Sequence, residues 1–157
     1  LDPLGLSGAE DKMALALDLV NVRLILEPGI AEMAALNATE EAILELRCCC
    51  ERVEERIASG DMYIQDDIAF HTSVARCSGN KVVEQLIPII DTAVMMFVNV
   101  THQRLTKETV MTHRAIVDAI SDRDPIGAKT AMMMHMTYNR NMILKLIREE
   151  KEKNHKE

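Results

Sequence analysis

Apolar residues recur at three- and four-residue spacing through this chain, and the stretches that carry them are separated by helix start and stop residues. From about Asp11 to Asn37 one stripe runs through Leu15, Leu19, Leu26, Ile30, Met33 and Ala34, with Pro28 as an expected bend. Thr39 ahead of Glu40 and Glu41 reads as an N-cap and Gly60 as a stop, which predicts a second helix over 40–59. A third is expected over 61–77, ending at Ser78-Gly79, and Asn80 should cap a fourth over 81–100 that contains Pro88. Thr106 is read as the cap of a fifth helix reaching Ser121, and Asp124-Pro125 opens a sixth over 125–150. Residues 148–157 are almost wholly charged and are expected to fray.

The predicted fold is therefore all-α: an antiparallel bundle of about six helices with an interior cavity for a metal and a ligand. A chain of 157 residues with 48% apolar content can bury one core, and only six Gly, four Pro, two Tyr and two Phe argue against sheets. One domain over 1–157 is expected, with its ordered core at about 11–150. A net charge of −7 leaves no basic face for gripping phosphates, so DNA binding by this segment alone is not expected. The absence of an apolar run of ~20 residues and of a cleavable leader predicts a cytoplasmic location and no membrane partner. Cys48, Cys49, Cys50 and Cys77 have neither Cys-x-x-Cys spacing nor a secreted disulfide pattern, and are expected as reduced thiols.

The functional signal lies in polar residues on apolar stripes, because an ionisable group facing a core needs a partner, a ligand or a metal. Asp67 and His71 share a stripe with Ile64, Ile68, Val74 and Ala75, and their i, i+4 spacing lets both reach one point. His113 lies among Val110, Ile116, Val117 and Ile120. His135 and Asn139 lie among Ala128, Ala131, Met132, Met142 and Leu146. Three imidazoles and a carboxylate are the donors that bind zinc or nickel, and also manganese or iron(II). Taken singly, each histidine reads first as a hydrogen-bonded core residue; three such stripes together with Asp67 turn the reading toward a metal. His102, in an expected loop, and His155, in the tail, stand outside the pattern.

Arg23 faces inward with Leu19, Leu26 and Ile30, and two readings stay open: an ion pair with Glu27, or a role in the metal cavity. In the second case a divalent ion with Asp67 and Arg23 leaves a net charge of about +2, which attracts small carboxylates and hydroxy-acids. Four protein ligands would leave one or two positions open for such a chelating molecule. The methionines at 132–134, 136, 142 and 95–96 are read mainly as core packing.

The segments Arg23-x-x-Leu26-Glu27-Pro28, Ala34-Ala35, Asp67-x-x-Phe70-His71, Gly79-Asn80, His113-x-x-Ile116 and Asp124 through Ala128 to Met132-x-x-His135 occur in one order. In that order they resemble the C-terminal effector-binding (FCD) domain of the FadR branch of GntR-type bacterial regulators. The resemblance implies Asp67, His71, His113 and His135 as metal ligands, Arg23 as an anchor for an effector carboxylate, and Asn139 as a further effector contact. It also implies a homodimer and an N-terminal winged helix-turn-helix, which this segment does not contain. Thr112 departs from the pattern, since many members carry Glu immediately before the histidine; the departure concerns the surroundings of the metal rather than its ligands.

Three functions follow as expectations. The first is a sensor domain that binds a metal and a small organic acid and so modulates a separate DNA-binding domain. The second is a mononuclear metalloenzyme, a hydrolase or oxygenase, against which stand the lack of a Glu-x-x-His pair for a di-iron bundle and of an evident general base beside the ligands. The third is a structural helical module with three hydrogen-bonded histidines.

Overall fold

The computed structural model describes residues 2–97 and 104–155. Among these residues the fold is an all-α antiparallel bundle of six helices without strands: α1 (Lys12–Asn37), α2 (Glu40–Ser59), α3 (Ile64–Cys77), α4 (Lys81–Phe97), α5 (Thr106–Ser121) and α6 (Pro125–Asn154). Most starts are written in the cap residues. Asp11 accepts from Ala14 N, Thr39 from Ala42 N, Asn80 from Val82 N and Asp124 from Gly127 N, each satisfying a donor that the first helical turn leaves unpaired. Gly60 ends α2 at φ 73°, where an L side chain would be strained.

Three boundaries differ from expectation. Helix α3 begins at Ile64 rather than 61, because the Asp61 amide is spent on Arg56 O in closing α2, and the first new helical bond runs from Asp67 N to Tyr63 O. Thr106 is the first residue of α5 and not its cap; Leu105 holds that position without a side-chain hydrogen bond. The charged tail does not fray at 148, since α6 continues to Asn154 with Lys151 and Lys153 at the negative end of its dipole. The last three residues expected for the fourth helix, His102 and the end of the tail lie outside the described residues. Pro28 and Pro88 both sit inside helices.

Helix α1 is the hub, packing on α6, α3, α4 and α5, while α2 packs on α3 and α5. One core unites Ile30, Ala31, Ala34 and Ala35 of α1 with Leu46 and Val53 of α2, Phe70 and Val74 of α3, Ile116 and Ile120 of α5, and Met132 and Met136 of α6. The alanines of α1 let neighbouring helices approach closely, and the long side chains of the others fill the space between. Ile64, Ile68 and Val110, expected inward, are only half-buried. Cys49, Cys50 and Cys77 are buried free thiols and Cys48 is an exposed one. No helix among the described residues is long and apolar enough to cross a membrane.

Candidate metal centre

The four residues singled out on apolar stripes are all buried: Asp67 3%, His71 1%, His113 0% and His135 3% exposed. They come from three helices, α3, α5 and α6, and each can offer one ligand atom such that all four atoms lie within 4.8 Å of one another. His113 Nε2 is 3.2 Å and His71 Nε2 3.9 Å from Asp67 Oδ1, and His71 Nε2 is 3.1 Å from His135 Nε2. Donor atoms around an ion bound at ~2.1 Å stand roughly 3 to 4 Å apart, so the set fits a first-row divalent metal in size and in chemistry. The position of His113 is secured from behind by Phe70, whose ring stacks on the imidazole at 3.8 Å between centroids and 15° between planes.

The outer nitrogens of two histidines have partners of definite sense. His71 Nδ1 lies 2.6 Å from Glu27 Oε2; an ionised carboxylate only accepts, so Nδ1 carries the hydrogen and Nε2 faces the cluster. His135 Nδ1 lies 2.8 Å from Thr112 Oγ1. A histidine that donates through one nitrogen presents a lone pair on the other, the arrangement in which metal-binding imidazoles are held. Without an ion, two lone pairs 3.1 Å apart would repel, and a proton must lie between them. The electrostatics agree: burial opposes a charge on His71, but Glu27 outweighs it and raises the imidazole above its usual range. His135 is pushed well below that range, by burial first and then by His113.

Arg23 settles part of the open question about its partner. Its Nε donates to Glu27 Oε1 at 2.5 Å, the local ion pair, and Asp91 Oδ1 of α4 lies 2.9 Å from the same nitrogen. That single N–H is committed to Glu27, and among the described residues neither Asp91 oxygen nor the buried Arg23 Nη2 has a hydrogen-bond partner. Burial holds the Asp91 carboxyl up at about 8, so it is mainly protonated at neutral pH. Glu27, which burial alone would raise, is instead kept ionised by Arg23 and His71. Glu27, His71 and Asp91 also lie close enough to hold a metal, but the Arg23 guanidinium already supplies the cation there.

The charge reckoned from the sequence needs correction, since it left out Glu27. A divalent ion with Asp67, Arg23 and Glu27 ionised and Asp91 protonated carries about +1, not +2. Asn139 is half-buried and donates through Nδ2 to His135 O at 2.9 Å. Asp91, fully buried, is the site residue that sequence reasoning missed, although it was signalled as the one acid in Leu86-Ile87-Pro88-Ile89-Ile90-Asp91.

Comparison with known proteins places this geometry in context. The model of the FCD domain family matches residues 18–138. An uncharacterized HTH-type transcriptional regulator, YcbG of Bacillus subtilis, is 28% identical over 156 residues, covering 92% of this chain and 63% of the relative. The HTH-type transcriptional repressor NanR of Citrobacter rodentium is 29% identical over 119 residues, 73% of this chain and 46% of the repressor. Among solved structures, Streptococcus agalactiae GntR superposes with a TM-score of 0.83 at 32% identity, covering 90% of this chain and 65% of that one. The chain thus spans about half to two thirds of the length of these relatives.

Proposed function

The chain belongs to the FCD domain family of GntR-type transcriptional regulators, and from that premise we propose that it is a metal-dependent sensor of a small organic acid. The observation that carries this reading is the convergence of one carboxylate and three imidazoles from three helices on a buried point. In this reading Asp67, His71, His113 and His135 hold one divalent ion, zinc or nickel before manganese or iron. The ion supplies a Lewis-acidic, positively charged point to which an acid can chelate.

Arg23 and Asn139 are the effector-binding side chains of the proposal. Arg23 has a buried Nη2 that finds no hydrogen-bond partner among the described residues, a donor suited to a carboxylate oxygen. Asn139, its amide nitrogen already on the His135 carbonyl, contributes its amide oxygen. In this reading an acid would bind beside these groups, where the site's positive charge of about +1 favours an anion.

Signalling follows from linkage. An effector that binds one arrangement of the bundle more tightly than another shifts the balance between them, and an attached DNA-binding domain reads the shift. The relatives carry HTH-type names, which supports a cytoplasmic regulator that reaches DNA through a separate domain rather than an enzyme. A homodimer is part of the reading, and Val22, Ile25 and Leu36, exposed on one face of α1 by helical spacing, are a surface it would cover.

The test is a thermal-shift screen of carboxylic and hydroxy-acids against the zinc-loaded and the metal-free chain. A sensor gains stability from at least one acid, and only when zinc is present. Equal shifts with and without zinc, or turnover of the bound acid to a product, would overturn the reading.

A further inference from the structure

We propose that Thr112 is a positioning residue of the metal centre, whose hydroxyl fixes which nitrogen of His135 faces the ion; this rests on the metal-binding reading above. Thr112 is 2% exposed and precedes His113 on α5, so one segment of that helix supplies a ligand and orients another on α6.

The direction of the hydrogen bonds carries the argument. Thr112 Oγ1 lies 2.7 Å from Glu108 O and 3.3 Å from Thr109 O, both carbonyl oxygens of its own helix. Carbonyls only accept, so the hydroxyl hydrogen is committed to the helix backbone, and the hydroxyl oxygen is left to accept. What it accepts is the Nδ1–H of His135, 2.8 Å away on the neighbouring helix. His135 is thereby held as the Nδ1–H tautomer, with the Nε2 lone pair directed to the side of His71.

The hydroxyl of Thr112 does not need this second contact, since its helix already satisfies it. The buried Nδ1 of His135 does need it, and no other hydrogen bond is recorded at that nitrogen among the described residues. Branching at Cβ also restricts the side-chain rotamer, so the acceptor is held in place before any ion arrives. Glu27 performs the same office for His71, but it is tied to Arg23 and cannot be changed without disturbing a charge cluster. Thr112 is neutral and therefore separable.

Thr112→Val removes the hydroxyl at nearly constant volume, and Thr112→Ser keeps it. Zinc affinity is measured by chelator competition, and the tautomer of His135 by long-range proton–nitrogen NMR on the metal-free chain. The expected result is a zinc affinity lowered by about 10- to 100-fold in Thr112→Val and within about threefold of wild type in Thr112→Ser, with His135 protonated on Nδ1 in the wild type. Thr112→Val binding zinc as tightly as wild type would overturn the role of Thr112 while leaving the metal reading intact. A wild-type chain that binds no zinc would overturn both. Should the valine variant fail to fold, the wild-type spectrum decides, because a His135 without a hydrogen on Nδ1 contradicts the proposal.

Discussion

His71 and His135 face each other through their Nε2 atoms at 3.1 Å, and each ring is held from behind, one by Glu27 and the other by Thr112. Two lone pairs so arranged require positive charge between them. A proton provides it in the metal-free chain, and a divalent ion recruited by Asp67 and His113 as well would replace that proton.

Metal binding should therefore compete with protonation at a pH above that of an ordinary histidine. Burial would lower His71, but the Glu27 carboxylate overrides it, so the net shift is upward from 6.5. The sign follows: the proton is held more tightly, the metal must displace it, and affinity weakens as pH falls through the raised value. Zinc titrations between pH 8 and pH 5 should show affinity beginning to fall above pH ~6.5, by up to about tenfold per unit. An affinity that is flat from pH 8 to 6 would contradict this.

Asp91→Asn should become progressively more stable than wild type as pH rises. The folded-state carboxyl titrates at about 8 against an ordinary value of 3.8, so the stability its protonation contributes is fully present below 3.8 and lost as pH rises through about 8. Asparagine does not titrate. Urea unfolding of the metal-free pair from pH 4 to 9 should show the difference drifting toward the variant and levelling off above about 8. A constant difference across that range would mean Asp91 is ionised in the fold.

Phe70→Ala should cost ~3 to 5 kcal/mol in denaturant unfolding, because a fully buried ring is removed from the core. It should also weaken zinc binding, since His113 loses the ring stacked on it. Undiminished affinity in a destabilised Phe70→Ala would show that His113 is positioned by other means.

Arg23→Lys should keep zinc and lose affinity for the acid. The ammonium preserves the countercharge to Glu27 but not the guanidinium fork that grips a carboxylate. Arg23→Ala is a poorer probe, since stranding the buried Glu27 carboxylate costs ~3 to 5 kcal/mol. Loss of zinc in Arg23→Lys would mean that Arg23 supports the ligands rather than the effector.

The parts of the site that depend on one helix at a time could be read from the sequence. Asp67 and His71 announce themselves by i, i+4 spacing on one face, and His113 and His135 by standing among Ile116, Ile120, Met132 and Ala128. Contacts between helices could not be read in this way. Nothing local tells that Glu27, placed correctly beside Arg23, also reaches His71 of α3, or that Thr112 reaches α6. Asp91 belongs between the two cases: an acid in an apolar run is a visible anomaly, but its partner lies 68 positions away on α1. The late start of α3 had a local cause as well, for the amide of Asp61 is claimed by the closure of α2, a bond that helical periodicity does not register.

The most direct measurement is the zinc stoichiometry, by equilibrium dialysis, of chelator-treated wild-type chain beside His113→Ala and His135→Ala, all produced without a histidine tag. The account predicts about one equivalent for wild type and less than about 0.2 for either variant, since each removes one of the converging ligands. Less than about 0.2 equivalents on the wild type, or a full equivalent retained by both variants, would contradict it.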